Sequence, residues 1–186
     1  SADKVANTAS VYGAYLKKIK KSAQKEMILK PALFTLNSNK HEVFNTDSNT
    51  LIKKIKGDIL YLDPPYNERQ YGSNYHLLNT IAKYDLFEPQ GKTGLRTYYR
   101  SSYCKKNDVK NSFEELIKNA NFKYIFLSYN KEGLMDEEEG QRMMSFYRKY
   151  SLKTTNYQRF KADKTESRNH KATSTVEYLH ILKKQL

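Results

Sequence analysis

The chain has 186 residues and a formal charge of +13, from 33 Lys and Arg against 20 Asp and Glu. That length is one domain able to bury a real core, and the charge suits a polyanion (DNA, RNA or an anionic membrane) or a merely lysine-rich solvated surface. A single cysteine, Cys104, excludes a disulfide framework and a cysteine-based zinc site, the four histidines lack metal-ligand spacing, and there is neither a secretory signal nor a membrane-length apolar run, so no metal, no membrane and a cytoplasmic location are expected.

In chain order, the spacing of Val5, Tyr12, Tyr15, Leu16 and Ile19 predicts a helix from Ala2 to Lys25. Its end carries Lys17, Lys18, Lys20 and Lys21, either a nucleic-acid contact or a solvated helix face. Leu33-Phe34-Thr35-Leu36 and Glu42-Val43-Phe44-Asn45 read as short strands about the turn Asn37-Ser38-Asn39. Asp47 or Ser48 caps a helix through Lys56, and Gly57 ends it. A central strand, Asp58 to Leu62, follows.

Asn74 opens the next predicted helix, with Leu77, Leu78, Ile81 and Ala82 facing inward. From Asp85 to Asn107 the periodicity dissolves among Pro89, Gly91, Gly94 and several tyrosines, which reads as a functional or mobile loop. Ser112 and Glu115 fit a capping box for a helix ending at Asn119. Lys123 to Ser128 is an apolar strand that ends at Tyr129-Asn130, and Asp136 to Tyr150 reads as one long helix with an acidic first turn. Leu152–Tyr157 and Thr173–Leu182 form a terminal antiparallel strand pair, joined by the basic segment Arg159–Lys171. Alternating helices and strands imply an α/β sheet with helices on both faces and ligands at the carboxyl ends of its strands, where Asp47, Asp63 and Tyr129-Asn130 fall.

One motif stands apart. Ile59-Leu60-Tyr61-Leu62 reads as a buried strand, and Asp63-Pro64-Pro65-Tyr66 follows as a rigid loop with a polar tip. By average residue usage such a match arises by chance in roughly one chain in a thousand of this length. The alternative is a proline-stiffened structural loop.

Asp63 to Tyr71 and the following Asn74 to Thr80 resemble Dam-like, S-adenosylmethionine-dependent DNA adenine-N6 methyltransferases, as do Asn7 to Tyr15 and Asn45-Thr46-Asp47. The resemblance implies a Rossmann-like methyltransferase sheet. It makes residues 1–36 a helical segment, the end of a DNA-recognition region, and residues 37–186 the catalytic subdomain. The family's Phe-x-Gly-x-Gly cofactor loop does not occur in the sequence. A chain starting at Ser1 is therefore expected to be the C-terminal part of such an enzyme, incomplete at its N-terminus.

Asp63, Pro64, Pro65 and Tyr66 are then the catalytic residues, with the Asp63 carboxylate and the Pro64 carbonyl accepting the two hydrogens of the target amine. Asp47 matches the family's acidic contact to the cofactor's adenine edge, or is simply a helix cap. Phe44 packs beside the cofactor, or in the core, and Asp63 also borders the S-adenosylmethionine site. Asn67, Arg69, Gln70, Tyr71 and Asn74 face double-stranded DNA, or form a polar surface loop. Arg96 and Arg100 are candidate backbone clamps, or ordinary surface.

The leading reading is adenine methylation in a restriction–modification or orphan system. Cytosine-N4 or RNA adenine methylation uses the same amine chemistry. Two readings of another kind also stand. One is a non-catalytic remnant that binds DNA. The other is a half-enzyme completed by a second polypeptide carrying the glycine-rich loop, and an exposed apolar sheet edge would favour it.

Overall fold

The computed structural model describes residues 26, 28, 30–91, 93–158 and 174–184. The expected helix over residues 2–25, its four lysines and the basic segment over residues 159–171 lie outside them. The chain divides into two compact units. One joins Thr46–Glu68 to Ser101–Leu186; the other joins the described residues through Asn45 to Arg69–Arg100. Among the described residues, no helix is long and apolar enough to cross a membrane.

The first unit is built on a four-stranded mixed sheet. It begins with a short helix α1 (Ser48–Leu51), whose first turn is capped by Asp47. Strand β1 (Lys56–Leu62) follows. After the interruption by the second unit come a 3₁₀ turn at Ser102–Cys104, helix α4 (Val109–Asn119) and strand β2 (Asn121–Asn130). Helix α5 (Glu137–Ser145) and strands β3 (Arg148–Gln158) and β4 (Ser174–Lys184) complete it. The strand order is β1-β2-β4-β3. β1 runs parallel to β2, with Leu62 opposite Leu127. β4 runs antiparallel to both β2 and β3, with Leu182 opposite Ile125 and Tyr150. The mixed α/β sheet and the terminal antiparallel pair are as expected. β1, expected to be central, is instead an edge strand of the described sheet.

Side-chain alternation decides which face is core. Ile125, Leu127 and Tyr129 of β2 point with Leu182 of β4 into a cluster completed by Phe113, Leu116 and Ile117 of α4 and Met143 and Met144 of α5. Each such fully buried side chain contributes about 1.5–3 kcal/mol. Leu60 and Leu62 of β1 pack against this cluster. α1 is tied to α4 by polar contacts: Asn49 Nδ2 donates to the Ser112 carbonyl at 3.0 Å, and Lys53 pairs with Glu115 at 2.7 Å. Tyr103 donates its hydroxyl to Asn49 Oδ1 at 2.6 Å.

Several local expectations give way to tertiary structure. The helix after Asp47 stops at Leu51, and β1 starts before Gly57. α4 begins at Val109, three residues ahead of the expected cap, so Ser112 lies inside it and donates to Ser102 Oγ at 2.8 Å. α5 has the expected acidic first turn, closed by a capping box of Asp136 with Glu139, but ends at Ser145. Beyond it, pairing with β4 recruits Tyr150 to the core face of β3, which a continued helix would forfeit.

The second unit holds α2 (Tyr71–Asn74) and α3 (His76–Lys83). His76 is its buried anchor, while Ile81 and Ala82, expected to face inward, are exposed. The strands expected over 33–36 and 42–45 do not form; those residues are exposed and irregular. A β-strand is stable only with a hydrogen-bonded neighbour, and none pairs with them among the described residues.

Candidate active site

Leu62 is the last residue of β1, and the chain leaves the sheet there into Asp63-Pro64-Pro65-Tyr66. Asp63 is exposed at the carboxyl end of the strand, whereas Pro64 and Pro65 are half-buried. Proline fixes φ and has no N–H, so this loop is stiff and its carbonyls are not drawn into helical hydrogen bonds. Its far end is fastened from outside. The Leu134 N–H donates to the Tyr66 carbonyl at 2.9 Å. The Tyr66 ring meets Tyr129 edge to face, centroids 6.4 Å apart and planes at 81°.

Tyr129 is itself held firmly. It is 1% exposed, its ring stands edge-on to Phe113 at 5.9 Å, and Phe113 meets Tyr103 at 4.8 Å. The series Tyr103, Phe113, Tyr129, Tyr66 runs from core to surface. Burial pushes the Tyr129 phenol above its ordinary range, although the hydrogen bond from Met135 N–H opposes this. The hydroxyl therefore stays protonated and acts as a neutral acceptor. The turn after β2 folds back over this ring. Gly133 donates its N–H to the Asn130 carbonyl, and Asn130 Oδ1 accepts from Glu132 N–H at 2.8 Å. A Cβ at Gly133 would overlap the Tyr129 ring, so only glycine fits there.

Asp47 Oδ1 accepts from the Thr50 N–H at 2.9 Å and from the Thr50 hydroxyl at 3.1 Å. Its capping role is thus realised in the same unit as Asp63, and its side chain is exposed. Asn67 lies just past Tyr66 in that unit.

The remaining candidates among the described residues belong to the second unit. Phe44 is half-exposed, not packed in a core. Gln70 precedes α2, and its carbonyl accepts from the N–H groups of Ser73 and Asn74. Tyr71 meets Tyr75 edge to face at 5.7 Å, and Arg69 is exposed. Arg96 departs from an exposed backbone clamp. Its side chain is 8% exposed, paired with Asp85 at 2.7 Å and stacked 4.2 Å over Phe87. The Arg96 guanidinium holds the Asp85 carboxyl below its usual range. Arg100 is exposed, with Tyr98 5.8 Å away. The fastening of Tyr66 by Leu134 and Tyr129, in a turn that Gly133 lets close over the Tyr129 ring, has no signature in the sequence beyond a glycine in a polar turn.

A strand-end Asp-Pro-Pro-Tyr loop can aim fixed acceptors at an exocyclic amine. The family model for D12 class N6 adenine-specific DNA methyltransferases matches residues 1–144. The chain belongs to this family. It is 65% identical over 183 residues to Type II methyltransferase M.NlaIII of Neisseria lactamica, which covers 98% of this chain and 55% of that protein. It is 41% identical to Type II methyltransferase M.FokI of Planomicrobium okeanokoites, over 98% of this chain and 28% of that protein. With Type II methyltransferase M.CviAII of Paramecium bursaria Chlorella virus 1 it shares 43% identity, over 87% of this chain and 49% of the relative. This D12 family chain thus spans about half the length, or less, of these curated relatives. No solved structure matches it.

Proposed function

We propose that this chain is the catalytic part of an enzyme that methylates the N6 amine of an adenine flipped out of double-stranded DNA. Its setting is a Type II restriction–modification system or an orphan methylase. The observation that carries the reading is the Asp63–Tyr66 loop, stiffened by two prolines at the end of β1 and fastened to Leu134 and Tyr129, in a chain of the D12 family.

The N6 lone pair of adenine is delocalised into the ring and is a poor nucleophile. The Asp63 carboxylate and the Pro64 carbonyl accept one amino hydrogen each and draw the pair out of conjugation. Because both acceptors are fixed before the base arrives, little reorganisation is spent as positive charge develops on nitrogen. Asp63 serves by orientation and charge, with no covalent intermediate. Tyr66 offers the partly exposed face of its ring to the extruded base, which must leave the duplex stack to be reached.

S-adenosylmethionine, when bound, supplies the electrophilic methyl group. Asp63 and Asp47 present exposed carboxylates on one unit that suit its polar edges, and Phe44 suits its adenine ring. The glycine-rich loop comes from further polypeptide. Residues 37–186 form the catalytic subdomain, and residues 1–36 border a DNA-recognition region. Asn67, Arg69, Gln70, Tyr71, Asn74 and Arg100, with Lys17, Lys18, Lys20 and Lys21, contact the duplex. Phosphate contacts position it, and base-edge contacts select the site.

The test is transfer of labelled methyl from S-adenosylmethionine to unmethylated DNA. It uses this chain with the part of the Neisseria lactamica relative that lies outside the match supplied in trans. Label on adenine N6 that disappears in Asp63→Ala, with DNA binding retained, is the expected result. Full turnover by Asp63→Ala, label on cytosine, a preference for RNA, or no label at all would overturn it.

A further inference from the structure

We infer that Tyr103 is a positioning residue for the methyl donor: through Asn49, its hydroxyl holds α1 and the Asp47 carboxylate in place against the aromatic series behind Tyr66. This rests on the functional reading above, in which Asp47 meets S-adenosylmethionine. It adds what keeps that carboxylate in register with the Asp63–Tyr66 loop.

α1 has only four residues, Ser48–Leu51. A single helical turn has no stability of its own in water. Its place, and that of Asp47 at its head, is therefore set by what its side chains and its neighbours grip. Ile52, just past its end, is buried in the core, and Lys53 pairs with Glu115 at 2.7 Å. Asn49 adds a grip from within the helix.

The Asn49 amide is used at both ends. Its Nδ2 donates to the Ser112 carbonyl at 3.0 Å and to Glu115 Oε2 at 3.2 Å, while its Oδ1 accepts from the Tyr103 hydroxyl at 2.6 Å. A carbonyl and a carboxylate only accept, so the amide NH2 must face them and its oxygen must face Tyr103. The phenol is then obliged to donate. Without it, the amide oxygen loses that donor, and α1 loses a tie to the core.

The Tyr103 ring is held as firmly as the hydroxyl. It is buried, stands edge to face on Phe113 at 4.8 Å, and through Phe113 reaches Tyr129 and then Tyr66. The Tyr103 N–H donates to Ser101 Oγ at 3.2 Å, which fixes the 3₁₀ turn that carries it. One side chain thus joins two parts of the site. The hydroxyl holds the helix that Asp47 heads, and the ring rests on the series that backs the catalytic loop. All of these residues lie in one compact unit. Methyl transfer needs donor and amine in a fixed mutual placement, because small misplacements of reacting groups cost rate heavily. A phenylalanine would fill the same space in the core, so packing alone does not call for the hydroxyl.

Two measurements on Tyr103→Phe, Asn49→Ala and the double variant test this. In this chain alone, amide hydrogen exchange is followed at Thr50, Leu51 and Ile52, whose N–H groups donate to Asp47 and Ser48. Tyr103→Phe should speed these amides roughly threefold to tenfold, the effect of losing one hydrogen bond. Asn49→Ala should do at least as much, and the double variant no more than Asn49→Ala. The second measurement uses this chain with the part of the Neisseria lactamica relative outside the match. There, calorimetry gives the affinity for S-adenosylmethionine, and turnover is followed at saturating donor. Tyr103→Phe should weaken donor binding roughly threefold to tenfold and keep kcat within about twofold, because its ring still backs the loop. If Asn49→Ala does not fold, the two readouts of Tyr103→Phe decide the question. Unchanged exchange in α1 overturns the proposal. So does faster exchange with unchanged donor affinity, the result of a hydroxyl that serves stability alone. Additive effects in the double variant, or a fall in kcat at saturating donor, overturn it as well. If the unmutated chain binds no S-adenosylmethionine with that partner, the functional reading fails and takes this inference with it. Normal binding and turnover, with the variants indistinguishable from the unmutated chain, sink this inference alone.

Discussion

Tyr129 stands edge-on to Tyr66, with ring centroids 6.4 Å apart, and links the Asp-Pro-Pro-Tyr loop to the hydrophobic core through Phe113. The same turn that covers Tyr129 donates the Leu134 N–H to the Tyr66 carbonyl. The loop is therefore stiff by its prolines within and by this ring and hydrogen bond without. Preorganised acceptors contribute to catalysis only when their support is equally rigid.

Gly133→Ala tests that support. The new methyl overlaps the Tyr129 ring, and relieving it should cost about 1–3 kcal/mol of stability. Tyr129→Phe keeps the ring and removes only the acceptor for Met135 N–H, at about 0.5–1.5 kcal/mol. Urea unfolding should rank the alanine variant below the phenylalanine one. In the active complex, Gly133→Ala should lower kcat and leave DNA affinity unchanged. Equal behaviour of the two variants would remove the case for the clamp.

DNA binding should depend steeply on salt. Four phosphate contacts imply a loss of affinity on the order of a hundredfold between about 50 and about 200 mM salt. A fluorescence anisotropy titration checks this, and a flat response would assign the +13 charge to solubility.

Acid should destabilise the fold before its carboxylates titrate. His180 is fully buried, its Nδ1 lies 2.9 Å from the Tyr150 hydroxyl, and burial lowers its pKa although Glu137 opposes this. Burial also pushes the Tyr150 phenol up to about 12, so the phenol remains protonated. The unfolded chain binds the histidine proton more readily than the folded one, so stability is complete above the unfolded value and falls as pH drops through about 6.5. Melting temperature should decline between about pH 7 and about pH 5. His180→Phe should flatten that slope; an unchanged slope would point to His76, which burial shifts the same way.

Lys184 should matter more than a terminal lysine usually does. Its Nζ donates to the carbonyls of Ile117, Lys118 and Ala120 at 2.8, 2.9 and 2.8 Å, closing the end of α4 onto β4. Lys184→Met keeps much of the apolar stem but deprives those carbonyls of their donor, at a cost of about 1–3 kcal/mol. Chemical denaturation measures the loss. A change within error would mean that water replaces the ammonium at no cost.

Much of the sheet unit was legible locally. The apolar runs of β1, β2 and β4 and the acidic start of α5 announce themselves through short-range pattern and turn chemistry. The Asp-Pro-Pro-Tyr loop did so too, because its stiffness and acceptors belong to the residues themselves. The family followed from that loop together with the residues after it, Asn67 to Tyr71 and Asn74 to Thr80, and the segments Asn7 to Tyr15 and Asn45 to Asp47.

What the pattern does not carry is which elements find partners. The stretches 33–36 and 42–45 look like strands but have none beside them among the described residues, whereas residues 148–150 leave a helical pattern to pair with β4. Arg96 looks like a free cation until Asp85 and Phe87 enclose it. The position of β1 at an edge, the exposure of Ile59 and Tyr61, and the seating of Tyr66 on Tyr129 and Leu134 were likewise decided by tertiary structure alone. Composition, periodicity and motif chemistry are properties of neighbouring residues and survive in any context. Strand pairing, ion pairing and burial depend on residues distant in the chain, and only the folded molecule brings those together.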